Sequence, residues 1–251
     1  MIKTLNNWLG LIIGNSRLHW CYFQDEKIQQ TWNTSQAESL AELPHILDKT
    51  LYSYLKAQIP LYIASVVPSV TKIYLSLPQT TIINPNILPL QDIYSTMGVD
   101  RILALWGAGC TYGFPCLVID SGTALTFTGA DEDKKLIGGA ILPGVKLQLQ
   151  TLFFNTAALP EVEIIREIIP RWAKNTPCAI QSGVIYTLIA TIGDFSQDWL
   201  TKYPESNIIL TGGDALLLFQ YLEVILPDIS NKIVLNSHLI FLGIQKYIED
   251  L

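Results

Sequence analysis

Positive charge is scarce in this chain of 251 residues, which has 16 lysines and arginines against 22 aspartates and glutamates. The formal net charge is -6, and charged residues of both signs make up only 15% of the sequence. Proteins that neutralise a phosphate backbone need clustered basic side chains. The composition therefore argues against a nucleic-acid-binding protein, although it leaves a nucleotide site open.

Cysteine and histidine are also rare. The four cysteines are scattered without the spacing of a metal site: Cys21, Cys110, Cys116 and Cys178. They are typical of reduced packing residues in a cytosolic protein. The three histidines are isolated in sequence, so no proton relay or ligand set is predicted from them: His19, His45 and His238.

Long apolar runs are missing as well. No run approaches the roughly 18 residues that a membrane span needs. The apolar stretch 8–13 has neither a basic flank nor a cleavage-site pattern, so we expect neither a signal peptide nor an anchor. Hydrophobic residues nevertheless make up 49% of the chain. This surplus predicts a covered subunit interface.

Residues 116–126 combine an apolar run with an abrupt polar end. A short run of apolar and β-branched residues is typical of a buried strand. Asp120 would then face a cation, and Gly122 would let backbone N–H groups approach an anion closely. Thr123 and Thr126 would face phosphate oxygens. The alternative is an ordinary strand followed by an Asp-Ser-Gly turn.

The chain has the organisation of an α/β protein with two similar halves. Strands are predicted over residues 9–13, 18–23, 28–32 and 61–67, and then over 117–120, 124–128, 135–137 and 208–210. Helices are predicted from a cap at Ser35 toward Tyr54 and over residues 100–109, 144–154, 177–192 and 237–248. The short turns predict antiparallel neighbours at the start of each half. We place the boundary near Gly113, giving halves 1–113 and 114–251.

Glycine- and hydroxyl-rich blocks follow one another in a definite order: residues 12–17, 98–101, 120–126, 138–144, 156–160 and 211–215, with Thr176, Ala179 and Gly183 before the last block. In these blocks the chain resembles the acetate and sugar kinase, Hsp70 and actin superfamily. Within it, the chain is similar to the type III pantothenate kinases over nearly its whole length. That family shows an Asp-x-Gly-Asn-Thr/Ser turn, a Gly-x-Asp-Arg element and an Asp-x-Gly-Thr-Ala-x-Thr turn.

The resemblance implies two ribonuclease H-like (actin-like ATPase) halves, each a mixed sheet with flanking helices, and a cleft between them. It implies phosphoryl transfer from ATP to the primary hydroxyl of pantothenate, giving 4′-phosphopantothenate, the first committed step toward coenzyme A. The implied cofactors are Mg²⁺ or another divalent ion, and a monovalent cation, K⁺ or NH₄⁺. ATP, pantothenate and a second copy of the chain in a homodimer are the implied partners, in the cytoplasm and without nucleic acid or membrane.

The resemblance also assigns roles to residues of this sequence. It makes Asp100 the carboxylate near the attacking hydroxyl. It places four residues at the pantothenate site: Gly98, Arg101, Thr176 and, more loosely, Tyr94. It places eight residues at ATP and its phosphates: Gly14, Asn15, Ser16, Gly122, Thr123, Gly139, Gly212 and Gly213. Asp120 is the implied metal ligand.

Plainer interpretations of the same residues stay open. Asp100 and Arg101 also fit a helix N-terminal acid followed by a solvated base. Thr176, just before a proline, also fits a helix cap. The glycines of residues 138–144 also fit a structural turn entering a helix, and residues 211–213 a strand-to-helix turn.

Three positions depart from the family pattern. Ile12 stands where the family has an aspartate that helps to hold hydrated magnesium, so Asp120 is left to carry the cation. Thr128 stands where the family often has a second acid, which weakens the monovalent site. A substrate-binding tyrosine of relatives lies further upstream than Tyr94. Two other functions therefore stay open: a nucleotide-binding or regulatory protein with weak or no catalysis, and a kinase for another small hydroxyl substrate.

Overall fold

The computed structural model describes residues 6–165 and 167–250. Contacts divide the chain into two compact units. The first unit runs through Cys110 and also contains the segment that begins at Leu239, and the second unit is Thr111–His238. The chain thus returns to its first unit at the closing helix.

Each unit begins with three consecutive strands, and helices then precede each of its last two strands. The described strands are β1 (Asn7–Ile13), β2 (Leu18–Gln24), β3 (Lys27–Thr34), β4 (Leu61–Ser65), β5 (Thr80–Ile82), β6 (Cys116–Ser121), β7 (Ala124–Ala130), β8 (Leu136–Pro143), β9 (Asn207–Thr211) and β10 (Ile233–Leu235). The described α-helices are α1 (Leu43–Ile46), α2 (Lys49–Lys56), α3 (Pro68–Tyr74), α4 (Val99–Tyr112), α5 (Val145–Asn155), α6 (Thr176–Lys202), α7 (Ala215–Ile225), α8 (Pro227–Ser230) and α9 (Leu239–Glu249).

Each unit contains one five-stranded mixed sheet, and the two sheets have the same topology. The strand order is β3-β2-β1-β4-β5 in the first unit and β8-β7-β6-β9-β10 in the second. In both sheets the central strand is antiparallel to the hairpin strand that follows it. It is also parallel to the strand that arrives after a helical crossover. The predicted fold of two similar α/β halves is therefore confirmed.

The core of the first unit lies between its sheet and helices α1 to α3. Leu9, Leu11 and Ile13 alternate along β1 and are all almost fully buried. They belong to the same cluster as Leu51 of α2 and Tyr74 of α3. Because side chains alternate between the faces of a strand, the residues between them lie on the opposite face of the sheet.

The closing helix α9 packs on that opposite face of the first unit. A Cβ at Gly10 of β1 would lie 3.2 Å from the Phe241 ring. Where α9 and α4 cross, a Cβ at Gly243 would collide with the Leu103 carbonyl, and one at Gly107 would lie 2.7 Å from the Gly243 nitrogen. This crossing groups α9 with the first unit, whereas residues 237–248 were assigned to the second half from sequence order. The boundary near Gly113 itself stays a proposal.

The second unit buries one face of its sheet under α5, α6 and α7. Ile119 of β6 and Phe127 of β7 are about 0 to 1% exposed and contact the cluster that includes Leu149, Leu188 and Leu218 of those helices. By length and composition α6 is also apolar enough to cross a membrane, but half of its most apolar stretch is buried in the fold. Its apolar side chains thus serve the core of the unit.

The helix predicted from Ser35 toward Tyr54 is broken into short pieces. A 3₁₀ turn at Leu40–Glu42 precedes α1, and α2 begins afresh after Asp48. Asp48 Oδ1 accepts hydrogen bonds from the N–H groups of Thr50 at 2.8 Å and Leu51 at 3.4 Å. This capping interaction makes Asp48, and not Ser35, the N-cap of the longest piece.

Other predicted bounds also shift. The predicted strand 61–67 ends at Ser65, since Pro68 begins α3 and fixes the chain for a first helical turn. The predicted helix 177–192 continues to Lys202. The predicted strand 135–137 extends to Pro143, so Gly138 and Gly139 lie within β8 and not in a turn.

Candidate functional site

Asp120 lies at the end of the central strand of the second unit, on the face turned away from the helical core. It pairs with Thr126 of β7 and with Thr211 of β9. Directly paired residues share one face of a sheet. A carboxylate and two hydroxyls thus occupy one row, which is the donor set expected around a hydrated cation and phosphate oxygens.

The turn after β9 approaches the end of β6 closely. Gly212 has a φ of +99°, which only glycine adopts without strain. A Cβ at this position would overlap the Ser121 carbonyl and lie 2.5 Å from Asp120 Oδ1. The N–H of Asp214 donates to the same Ser121 carbonyl at 2.9 Å. The turn predicted to hold adenosine therefore lies beside Asp120. A Cβ at the next residue, Gly213, would meet no atom within 4 Å.

The Gly122-Thr123 turn is fixed to the start of α5. The N–H of Gly144, the N-cap of α5, donates to the Thr123 carbonyl at 2.9 Å. Thr123 is exposed and Gly122 half-buried, so both stay accessible within this unit. Gly139 pairs with Thr128 inside β8. The interpretation of Gly138 and Gly139 as a turn entering a helix is wrong for these two residues, because they pair with Gly129 and Thr128 of β7.

In the first unit the Gly14-Asn15-Ser16 turn joins β1 to β2. The N–H of Gly14 donates to the Arg17 carbonyl at 3.1 Å. Gln36 Nε2 donates to the carbonyls of Gly14 at 2.9 Å and Asn15 at 3.2 Å. Gln36 was missed from sequence, since a glutamine 21 and 22 residues away carries no local signal of this contact.

Ile12 has the same place in the first sheet as Asp120 in the second. Each lies on the central strand two residues before the turn glycine. Ile12 pairs with His19 and Ala64, on the strands that correspond to those of Thr126 and Thr211. It is 7% exposed. The first unit therefore has an aliphatic side chain at this place.

His19 is the titratable neighbour of Ile12 in the sheet. Its Nδ1 is 2.5 Å from Asn33 Oδ1. Burial lowers the pKa of His19 below its ordinary value; the hydrogen bond with Asn33 opposes this shift and the charge of Arg17 adds to it. Near neutral pH the imidazole is therefore uncharged.

The start of α4 brings together four of the five residues predicted at the pantothenate site, Gly98, Asp100, Arg101 and Tyr94, whereas Thr176 begins α6. Asp100 Oδ1 accepts a hydrogen bond from the N–H of Arg101 at 2.8 Å, in the first turn of the helix. A Cβ at Gly98 would collide with that same oxygen, so the glycine leaves room for the carboxylate. Arg101 Nη1 donates to the Tyr94 hydroxyl at 2.7 Å.

This arrangement corrects the plainer interpretation of the Asp100-Arg101 pair. Asp100 does interact with the N-terminus of a helix, as that interpretation requires. Arg101, however, is only 8% exposed and is therefore not a solvated base. A buried guanidinium needs fixed partners, and its planar set of donors suits carboxylates and phenols alike.

Thr176 is the first residue of α6, but it is not the cap of that helix. Asn175 Oδ1 accepts a hydrogen bond from the Cys178 N–H at 2.9 Å, so Asn175 fills the capping role. Thr176 is exposed and lines a pocket of about 560 Å³ together with Leu159, Lys174 and other residues of the same unit. Its hydroxyl is thereby left for another function.

Metal binding would rest on few side chains. In residues 6–165 and 167–250 no group of three or more histidine, cysteine or acidic residues could hold a metal ion. Asp120 alone fits a hydrated Mg²⁺, which often takes one or two carboxylates and keeps its waters. Thr128 lies on the same face as Asp120 and is 1% exposed. Because it is a threonine, it offers no carboxylate for a second ion.

Two repeated sheets, with paired glycine turns at the ends of their central strands, define the fold class of the actin-like ATPases and sugar kinases. A family model described as type III pantothenate kinase matches residues 8–198. Relatives of that name occur in Nostoc sp., 45% identical over 96% of this chain and 94% of the relative, and in Synechocystis sp., 46% identical over 94% and 88%. The chain belongs to the type III pantothenate kinase family.

Solved structures agree in fold. A Baf family transcriptional activator from Campylobacter jejuni has a TM-score of 0.59 and 20% identity, covering 96% of both chains. An activator of 2-hydroxyisocaproyl-CoA dehydratase from Clostridium difficile, with bound ADPNP, has a TM-score of 0.52 and 10% identity over 97% of this chain and 94% of that chain. At these identities the likeness concerns the fold alone. The predicted family and fold class are confirmed.

Proposed function

We propose that this protein transfers the γ-phosphoryl group of ATP to the primary hydroxyl of pantothenate, giving 4′-phosphopantothenate and ADP. The observation that carries the proposal is the start of α4, where Asp100 lies next to the buried Arg101. A kinase needs a carboxylate near the attacking hydroxyl, and the carboxylate of pantothenate calls for a fixed cation. Both are present on one helical turn in a chain of this family.

The acid and the guanidinium divide the work on the acceptor. Asp100 accepts the hydroxyl proton as the oxygen attacks the γ-phosphorus and the bond to the β-γ bridging oxygen breaks. Arg101 pairs with the pantothenate carboxylate, while Tyr94 holds the guanidinium in place. Gly98 keeps the Asp100 carboxylate free of steric obstruction. Thr176 donates to pantothenate from the start of α6.

Backbone groups of the turns hold the nucleotide. The phosphate contacts are assigned to the turns that end the central strands, Gly14-Asn15-Ser16 and Gly122-Thr123, together with Gly139. Gly212 and Gly213 let adenosine approach the backbone after β9. Asp120 would hold a hydrated Mg²⁺, and such an ion would neutralise charge on the phosphates. Because residue 128 is a threonine and not an acid, a monovalent cation, K⁺ or NH₄⁺, would be held by uncharged oxygens.

We propose further that the protein is a cytoplasmic homodimer. The described cysteines form no disulfide, as a reducing compartment favours. Leu147 and Phe154 are 40% and 73% exposed, seven residues apart on one face of α5, and Ile141 of the edge strand β8 is 64% exposed. Apolar side chains this exposed favour coverage by a second copy of the chain.

A coupled ADP-release assay tests the enzymatic proposal. Purified protein with ATP and Mg²⁺ is expected to turn over only when pantothenate is added, and the product is expected to have the mass of 4′-phosphopantothenate. A panel of other small hydroxyl compounds serves as control. Turnover on one of those compounds instead, or nucleotide binding without any transfer, would contradict the proposal.

A further inference from the structure

An irregular segment leads into the pocket of Thr176. Its described residues, 156–165 and 167–175, form neither helix nor strand, and we call them the strap. Backbone N–H and C=O groups inside a folded unit need partners, and a segment without regular structure obtains them from side chains or water. The position of the strap therefore depends on the side chains that bind it.

Gln181, on the second turn of α6, binds the strap through both polar atoms of its side chain. Oε1 accepts from the N–H of Ile165 at 3.0 Å, and Nε2 donates to the carbonyl of Ile165 at 2.7 Å. Gln181 is 0% exposed. Its amide thus does for the strap what a neighbouring strand would do, in a place where water does not compete.

Three hydroxyls hold the strap further along the chain. Ser182 Oγ donates to the Arg171 carbonyl at 2.6 Å, and the Tyr186 hydroxyl donates to the Ile169 carbonyl at 3.0 Å. The N–H of Ile169 donates to the Tyr221 hydroxyl at 3.0 Å. The Arg171 guanidinium lies over the Tyr186 ring, 4.7 Å from its centroid. The last anchored carbonyl is therefore that of Arg171, five residues before Thr176.

We propose that Gln181 and Tyr186 are positioning residues for pantothenate binding. By fixing the strap they fix residues 173–176, which form one wall of the pocket, and hence the position of the Thr176 hydroxyl. Neither side chain lines that pocket, so neither touches the substrate. This inference rests on the proposed function, because it takes pantothenate as the ligand of that pocket.

The test compares two variants that weaken the strap with one that weakens only the core. Gln181→Met removes both hydrogen bonds to Ile165, and Tyr186→Phe removes one hydroxyl while keeping the ring. Ile192→Val is the control, because Ile192 is on the same helix, is 0% exposed and belongs to the core cluster. Loss of one methylene there lowers stability by about as much as loss of one hydrogen bond.

We expect the KM for pantothenate to rise about tenfold in Gln181→Met and about threefold in Tyr186→Phe, as the loss of one or more buried hydrogen bonds implies. The kcat and the KM for ATP stay within about twofold of wild type. Ile192→Val lowers the Tm without changing the KM for pantothenate. If Gln181→Met fails to fold, Tyr186→Phe with its control still decides the matter.

Limited trypsin digestion gives a readout that needs no activity. Arg171 and Lys174 are exposed tryptic sites in the strap, and we expect faster cleavage there in the strap variants than in Ile192→Val. Equal cleavage and an unchanged KM for pantothenate would overturn this inference alone. If the wild-type protein does not transfer phosphate to pantothenate, the proposed function and the assignment of pantothenate to the Thr176 pocket are both overturned. Faster cleavage of the strap variants would still show that Gln181 and Tyr186 hold the strap.

Discussion

Arg101 and Tyr94 are joined by a hydrogen bond of 2.7 Å, in which the guanidinium donates to the phenol oxygen. Arg101 is 8% exposed, whereas Tyr94 is 46% exposed. An accessible phenol therefore contacts a guanidinium that is mostly withdrawn from water. In this position Tyr94 limits the orientations of the Arg101 side chain, and an oriented guanidinium binds a carboxylate more tightly than a mobile one.

Tyr94→Phe tests this relationship. Loss of a hydrogen bond to a charged group is expected to raise the KM for pantothenate about tenfold, with little change in the KM for ATP. Tyr112→Phe is the matched control, because the Tyr112 hydroxyl accepts a 2.7 Å hydrogen bond from Asn236 and has no role in the proposed site. Steady-state kinetics of both variants decide the outcome. Similar KM values for wild type and Tyr94→Phe would contradict the assigned role.

Asp100→Asn tests the proposed base. The amide oxygen still accepts the hydrogen bond from the Arg101 N–H, so we expect a folded protein with a Tm close to that of wild type. Removal of a general base lowers kcat by about 10²-fold or more. Single-turnover measurements separate this chemical step from product release. A kcat within threefold of wild type would show that another group accepts the proton.

Asp120→Asn tests the dependence on a single metal-binding carboxylate. Because Ile12 supplies none at the corresponding place in the first sheet, we expect the Mg²⁺ concentration for half-maximal activity to rise at least about tenfold. Thermal stabilisation by ATP with Mg²⁺ should fall as well. Asp131→Asn is the control, since Asp131 binds only backbone N–H groups of its own hairpin among its described contacts. Equal Mg²⁺ dependence in the two variants would contradict the assignment.

Gly212→Ala and Gly213→Ala separate backbone strain from nucleotide contact. An alanine at Gly212 has a φ of +99° and a Cβ that overlaps the end of β6, so we expect a loss of at least about 1 to 2 kcal/mol in the free energy of unfolding. A Cβ at Gly213 meets no atom within 4 Å, so that variant should keep its stability and show only a raised KM for ATP. Urea unfolding without nucleotide measures the first effect. Equal destabilisation by both changes would argue against this geometry.

Stability should depend on the protonation of His19. The pKa of His19 is lowered in the folded protein. As the pH falls below about 6.5, His19 therefore takes up a proton in the unfolded chain before it does so in the folded chain. The free energy of unfolding therefore falls over that window, by at most about 1.4 kcal/mol per pH unit for one proton. His19→Gln should show a smaller fall between pH 7 and pH 5. Identical pH profiles of urea unfolding would exclude this contribution.

Local patterns predicted most of the fold. Two short turns at the start of the first half required an antiparallel meander, which β1 to β3 form. The abrupt polar end of residues 116–126 predicted a buried strand followed by a glycine turn, as β6 and Gly122 show. These features are local, because alternation of side chains and turn geometry act over a few residues.

Predictions failed where distant contacts outweighed local preference. The short strands β5 and β10 were not predicted, since three-residue strands exist only through their neighbours. The apolar helix α7 was not predicted either. Gln36 and Gln181 act through side-chain hydrogen bonds to backbone groups far away or in an irregular segment. No periodicity in the sequence marks such glutamines.

The sequence by itself determined the family, the order of the glycine turns and the absence of an acid at Ile12, because residue identity at fixed spacing decides each of these. Only the tertiary structure decided that Arg101 is buried against Tyr94, that Asn175 rather than Thr176 caps α6, and that α9 belongs to the first unit. The physical reason is that burial and hydrogen bonding depend on which segments the fold brings together. Asp120 shows both levels: its motif predicted an acid at a strand end, and the sheet register placed Thr126 and Thr211 on either side of it.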